Sequence, residues 1–307
     1  MPFIVISGTY HLVGRTQAGN PSGFEPDGDS IQFKPADPTL LDRLHRIGRP
    51  YKLTSIASTQ LRFEGIDSLE LHFDGTHQPR PRADEARDFL TGELEMNPVP
   101  YKPPPNIQVQ PPVTKDATLG FILSRSLEAN GRPVAFAFAG EPPSTDGSEV
   151  FLEALLIERS LNYLSVANGQ AYPLFYDTLF SDLRDALAQA ATSARQATLG
   201  LWADDRSQGG LVVSSQADLE RDGVIFPKLF RRLTGYFDQG NASLAGFAAW
   251  LADAKEQVLD LTSSNFTHFD NVVRVQGDEV SLTVRPEELV FVSAKTASLT
   301  AAPWLHV

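Results

Sequence analysis

The sequence contains no cysteine, which excludes disulfides and thiolate metal sites and leaves the redox compartment open. No apolar run reaches the length of a membrane span. The opening residues, Met1-Pro2-Phe3-Ile4-Val5-Ile6-Ser7, enter a strand-like run without a basic stretch or cleavage site. No secretory signal is read there, and a cytoplasmic location is expected. Walker and Rossmann glycine patterns and a Gly-x-Ser-x-Gly elbow are all missing. The 6 histidines show no metal-cluster spacing, and His72 and His77 read as surface residues flanking a loop. Positive charge is also short: 26 Lys+Arg face 38 Asp+Glu, a formal net charge of −12. That balance argues against tight non-specific nucleic-acid binding, which draws on a basic footprint. A weakly held, short or single-stranded polymer remains compatible with it.

What is present is ample for a core. The chain has 307 residues, 42% hydrophobic and 21% charged, the profile of a globular protein with two units as the expected count. Phe3 to Val13 alternates as a first strand, Gly14 to Pro26 reads as a loop, and a strand restarts at Asp29 to Phe33. A polar connection carrying Arg43, His45, Arg46 and Arg49 leads to a strand over Leu53 to Ile66. A helix begins near Ala83, with acids in its first turn where the macrodipole favours them. Asn97 to Pro112 holds a proline cluster and reads as an extended excursion. Leu119 to Leu123 and Val134 to Phe138 form a hairpin about Asn130-Gly131.

Helices follow over Glu149 to Val166 and Thr178 to Leu199, the second ended by Gly200. Further on, Ser243 to Leu261 is an amphipathic helix. Val272 to Val275 and Val280 to Val284 make a hairpin, with Glu288 to Val292 as a third strand. Strands first, with helices interleaved and appended, make an α+β fold.

The chemistry concentrates in two stretches. Asp27-Gly28-Asp29-Ser30 carries a turn signal that delivers a carboxylate to a hairpin rim. Leu61-Arg62-Phe63-Glu64-Gly65-Ile66-Asp67-Ser68-Leu69-Glu70 packs one arginine and three acids into a strand-like run. Leu61, Phe63, Gly65 and Asp67 share one face of that strand, and Arg62, Glu64 and Ile66 the other. Carboxylates from two loops with an arginine nearby suggest a hard cation held beside a phosphate, since oxygen ligands suit calcium or magnesium.

The order Asp-Gly-Asp-Ser, then Arg-x-x-x-x-Asp-Ser-x-Glu, then Asn130-Gly131-Arg132 resembles the staphylococcal nuclease (thermonuclease) family. The resemblance runs from about Val5 to Trp202. Leu161-Asn162-Tyr163-Leu164, Gly169-Gln170-Ala171 and Gly200-Leu201-Trp202 are similar to further phrases of that family. It implies a five-stranded OB-type barrel with packed helices. The nuclease-like domain would be residues 1–205, with insertions near 34–52 and 97–115, and residues 206–307 a small α+β module of unassigned function.

By the same resemblance, Asp29, Asp67 and the Ser68 carbonyl would hold calcium. Glu70 would be the general base, and Arg62 and Arg132 would clamp the phosphate. Phe175 and Tyr176 lie near base-contacting aromatics, although core packing is an equal reading. Leu69 stands where the family commonly has proline, and Ser68 where it often has threonine.

The implied activity is calcium-dependent hydrolysis of DNA or RNA with low sequence specificity. The competing reading is an inactive or weakly active binding protein that works through residues 206–307, which would then recruit a protein partner. Lys228, Arg231 and Arg232 in that segment read either as a basic stripe for nucleic acid or as a solvated face balancing nearby acids.

Overall fold

The computed structural model describes residues 2–293; the last part of the expected module, residues 294–307, lies outside them. The strand β1 (Phe3–His11) leads through β2 (Val13–Arg15) and β3 (Pro21–Gly23) to β4 (Gln32–Pro35), a 3-10 turn over Pro38–Arg43 and β5 (His45–Arg46). Next come β6 (Thr59–Gln60), β7 (Arg62–Phe63), β8 (Ile66–Ser68) and the helix α1 (Arg80–Glu93). They are followed by β9 (Thr118–Leu127), β10 (Pro133–Ala139), β11 (Glu149–Val150), α2 (Ala154–Ile157) and α3 (Leu161–Ala167).

β12 (Ala171–Pro173), β13 (Phe175–Tyr176) and α4 (Ser181–Gln196) then lead to β14 (Leu211–Val212), α5 (Gln216–Asp222), α6 (Pro227–Phe237) and α7 (Phe247–Asp253). The described chain finishes with β15 (Gln257–Asp260), β16 (Asn265–His268), β17 (Val273–Gln276), β18 (Glu279–Leu282) and β19 (Leu289–Phe291). No helix among the described residues is long and apolar enough to cross a membrane.

The fold is mixed α+β, and two compact units divide it. One takes in the chain up to Glu64 together with Glu85–Ser165; the other takes in Gly65–Asp84 and the chain from Val166 onward. This division by contact is drawn along different lines from a cut at residue 205.

In the first unit the strand order β6-β4-β1-β9-β10-β7 makes a nearly closed barrel. The reason is the segment Thr59–Phe63, whose β6 pairs antiparallel with β4 and whose β7 pairs parallel with β10. One short stretch of chain therefore supplies both ends of the sheet. The interior is aromatic: Phe121 and Phe138 stack at 4.6 Å, and Phe3 meets Phe136 edge-on at 5.8 Å. Tyr10, fully buried, donates its hydroxyl to Phe121 O at 3.0 Å and accepts from Phe138 N at 3.0 Å. Burial pushes its phenol pKa well up, so it stays a neutral donor.

Asn162 closes the seam where β7 meets β10. Its Nδ2 donates to Glu64 O at 2.9 Å and Ala135 O at 3.0 Å, and its Oδ1 accepts from Ala137 N at 2.9 Å.

The connection expected as an insertion near 34–52 is stitched to the same sheet, since β5 pairs parallel with β9. Its Arg43 reaches Glu149 at 3.5 Å on the exposed surface. The proline-rich excursion near 97–115 folds back on itself through a Tyr101–Val109 bridge, and Arg87 stacks over the Tyr101 ring at 3.6 Å.

The second unit holds β8 against β12, a sheet in the order β13-β19-β15-β16, and another in the order β14-β18-β17. Tyr172, Phe175, Phe226, Phe230 and Phe247 are fully buried in its core. Trp202 lies edge-on to Tyr172 at 5.0 Å and takes the Arg195 guanidinium over its ring at 4.2 Å. The helix α6 starts with Pro227 in its first turn, where a missing N–H costs nothing. Leu229, Phe230, Leu233, Tyr236 and Phe237 bury its apolar face.

Several elements differ from the sequence expectation. Gly14 to Pro26 contains the β2–β3 hairpin. The helix over Glu149 to Val166 is broken into β11, α2 and α3, because the Ser160 hydroxyl accepts from Tyr163 N at 3.1 Å and caps a fresh start. The amphipathic helix over Ser243 to Leu261 shortens to α7, with Lys255 in the left-handed region at φ 47°. α4 ends at Gln196, with Thr198 rather than Gly200 the first residue beyond it in the left-handed region. The strand over Glu288 to Val292 exists as β19, but it pairs with β15 and β13 rather than joining the β17–β18 hairpin.

Candidate functional site

The strand expected over Leu53 to Ile66 is not continuous through the charged stretch. Gly65 adopts φ 80°, and a Cβ there would meet Leu187 Cδ1 at 2.6 Å. Only glycine combines that backbone with that close approach. The bend ends β7 and restarts the chain as β8, so the simple alternation of faces fails: Phe63 through Leu69 are all buried. Glu64 turns inward and pairs with Arg125 at 3.0 Å. Burial raises the Glu64 carboxyl pKa, with Arg125 opposing the shift.

Within the first unit, three of the expected residues are held by one edge of the barrel. The Asp29 carbonyl accepts from Phe63 N at 3.1 Å, next to Arg62. Arg62 on β7 is in register with Val134 on β10, and Arg132 lies two residues before Val134. Gly131 turns the hairpin at φ 89°. Arg132 is already engaged, since its Nε donates to Glu128 Oε1 at 3.3 Å with the side chain 31% exposed.

Within the second unit, β8 and the residues just past it hold the other expected group. β8 pairs antiparallel with β12, which sets Ser68 opposite Ala171 and Asp67 opposite Tyr172. The Glu70 backbone N–H donates to Gln78 Oε1 at 3.1 Å, and Gln78 in turn donates to Gly223 O and Ile225 O at 2.7 and 2.8 Å. That chain of bonds fixes where Glu70 leaves the backbone.

Both carboxylates converge on Arg231 of α6. Its Nη2 donates to Asp67 Oδ2 at 2.7 Å, and its Nη1 to Asp67 Oδ1 at 3.1 Å and to Glu70 Oε1. Asp67 is 4% exposed, Glu70 16% and Arg231 21%. Burial is the largest influence on the Arg231 pKa and works to lower it. The facing carboxylates outweigh it and hold the guanidinium protonated above its ordinary range.

The neighbouring basic residues of α6 do not form a solvated stripe. Lys228 and Arg232 both pair with Glu256, at 2.6 and 2.8 Å. Lys228 also lies over the Phe291 ring at 4.2 Å. The reading of these residues as balancing nearby acids holds for the pairing but not for the solvation. The role of Arg231 in gripping Asp67 and Glu70 is hidden in the sequence because the partners are far apart in it. The i, i+3, i+4 spacing of Lys228, Arg231 and Arg232 was the only signal available.

Of the aromatic pair, Phe175 is fully buried, while Tyr176 is half-buried and faces Phe291 at 6.3 Å.

The oxygen donors of Asp67 and Glu70 suit a hard cation. The guanidinium is a stand-in showing that both carboxylates reach one positive centre. Among the described residues no group of three or more His, Cys, Asp or Glu is placed to hold a metal ion. In comparisons with known proteins, no family model and no curated protein matches the chain.

Proposed function

We propose that the chain is a calcium-dependent phosphodiesterase of staphylococcal-nuclease-like OB fold that hydrolyses DNA or RNA with little sequence preference. The observation that carries this reading is the convergence of Asp67 and Glu70 on one cationic centre. A strand end that gathers one buried and one part-buried carboxylate around positive charge has the chemistry for metal-assisted hydrolysis. The resemblance assigns the ion to Asp29, Asp67 and the Ser68 carbonyl; when bound, calcium supplies Lewis acidity toward a phosphate oxygen.

Glu70 then takes the proton from the attacking water. Arg62 and Arg132 meet the charge that grows on the phosphoryl oxygens, where a planar guanidinium fork is worth most. With a net charge of −12, substrate is held by few phosphate contacts, and turnover falls only shallowly with salt. Tyr176 is the aromatic left with ring surface for a base.

The test is cleavage of single- and double-stranded DNA and RNA with calcium, with magnesium and with chelator. Calcium-dependent hydrolysis is expected, reduced by about 10²–10³-fold in Glu70→Gln and in Arg132→Ala, the loss typical of removing one group that acts on the transition state. A folded wild-type sample with no hydrolysis above background sinks the reading.

A second reading is favoured by the same three hydrogen bonds seen from the other side. An arginine of the chain's own already neutralises the acids, which suits a binding protein without turnover. On that reading a partner binds through residues 206–307, and its binding survives Glu70→Gln.

A further inference from the structure

We propose that Arg231 is a built-in competitor for the acid pair, so that any divalent cation must displace its guanidinium before Asp67 can ligate it with Glu70 free beside it. This rests on the cation-binding part of the functional reading and adds a regulatory contact to it. Arg231 engages Asp67 Oδ1, Asp67 Oδ2 and Glu70 Oε1. An ion approaching the pair therefore meets carboxylate oxygens already spent on N–H donors. Two positive centres crowded on the same oxygens repel each other at short range.

The geometry also says what moves. The helix itself is pinned: Lys228, one turn before Arg231, and Arg232, directly after it, are both paired to Glu256. Leu229, Phe230 and Leu233 are fully buried along the same helix. Withdrawal of α6 would break all of these at once. The Arg231 side chain, in contrast, is 21% exposed. The competitor acts by swinging one long side chain out, with the backbone in place. Its resting position does a second job, because it keeps two like-charged carboxylates gathered before the ion arrives.

A competitor of this kind lowers apparent affinity in proportion to the fraction of molecules in which it has let go. If Arg231 is out in roughly one molecule in ten, calcium binds about tenfold more weakly than to the bare pair.

The experiment is calorimetric titration of the full chain with calcium chloride alone. It compares wild type, Arg231→Gln, Arg231→Lys and the double variant Asp67→Asn/Arg231→Gln, each checked for a cooperative melt. Arg231→Gln is expected to bind calcium at least about tenfold more tightly than wild type. Arg231→Lys, which keeps the positive charge, should stay within a few-fold of wild type, and the double variant should lose the gain.

A folded Arg231→Gln that binds calcium no tighter than wild type overturns the proposal, as does a gain that persists without Asp67. Should Arg231→Gln fail to fold, the Nε–H resonance of Arg231 in wild-type protein decides the matter. It is assigned by its loss in Arg231→Lys. It shifts on calcium saturation if the side chain is displaced, and its constancy overturns the proposal.

Cleavage assays run alongside separate this proposal from the nuclease reading. Tighter calcium with no cleavage in any variant sinks the nuclease and leaves the competitor standing. Cleavage with calcium affinity unchanged in Arg231→Gln does the reverse.

Discussion

Glu256 carries an unusual share of charge for one carboxylate, because it answers both Lys228 and Arg232. Burial is the largest influence on it and pushes its pKa up. The two cations outweigh that and hold it below its ordinary value of 4.5. Its folded pKa lies below its unfolded one, so it contributes stability that is fully present above about pH 4.5 and is lost as the pH falls below that. Glu64 has the opposite sign. Its folded pKa is raised, so its contribution is best at low pH and declines as the pH rises through 4.5 and beyond. Replacing Glu256 by Gln leaves Lys228, whose side chain is 8% exposed, without its anion. The expected cost is about 3 kcal/mol at neutral pH. The gap from wild type should narrow below pH 4.5, measured by denaturant unfolding across a pH series. A gap that stays constant through acid refutes the assignment.

At the scale of elements, Gly65 decides the most. Its left-handed backbone ends β7, and the bend sets Asp67 on a strand of its own. Gly65→Ala is expected to destabilise the chain by about 2–3 kcal/mol, from backbone strain and from the close approach to Leu187. Unfolding midpoints in urea check it, and a loss under about 0.5 kcal/mol, the range of a neutral surface change, refutes it. The residues of this stretch were legible in the sequence; its shape was not. Alternation suggested one straight strand, and a glycine inside a strand pattern does not declare its φ.

The same limit explains α7. Periodicity of 3.6 marked Ser243 to Leu261, but the pattern cannot show that Lys255 leaves the helical region, nor that Val258 to Asp260 find a ladder with β19. The β9–β10 hairpin was readable as a hairpin because Asn130-Gly131 marks the turn locally, but the register shift between Val134 and Ala135 was not. The phrase containing Asn162 stood out on resemblance alone. Its work is now physical: three buried backbone groups of the seam depend on one amide. In the sequence Arg231 reads as part of a basic stripe or of a face balancing nearby acids, without naming which acids. Its partners lie more than 160 positions away, and no local pattern reports such a pairing.

For the whole molecule, the grouping of Gly65–Asp84 with the chain beyond Val166 has a direct consequence for truncation. Cutting after Asp205 removes β19 from beside β13, Phe226 from beside Tyr172, and the carbonyls of Gly223 and Ile225 from Gln78. It also removes Glu287 from Arg195. Such a fragment should lose the cooperative melt and near-ultraviolet signal of its aromatic core. A fragment ending at Asp205 with a sharp melt and a wild-type near-ultraviolet spectrum refutes this.

The barrel has a different consequence. Thr59–Phe63 lends one edge to β4 and the other to β10. The strands at the two ends of the sheet are two residues each, and neither presents a long row of bare amides and carbonyls. Strand addition from a second chain, the first step toward amyloid-like stacking, finds little template there.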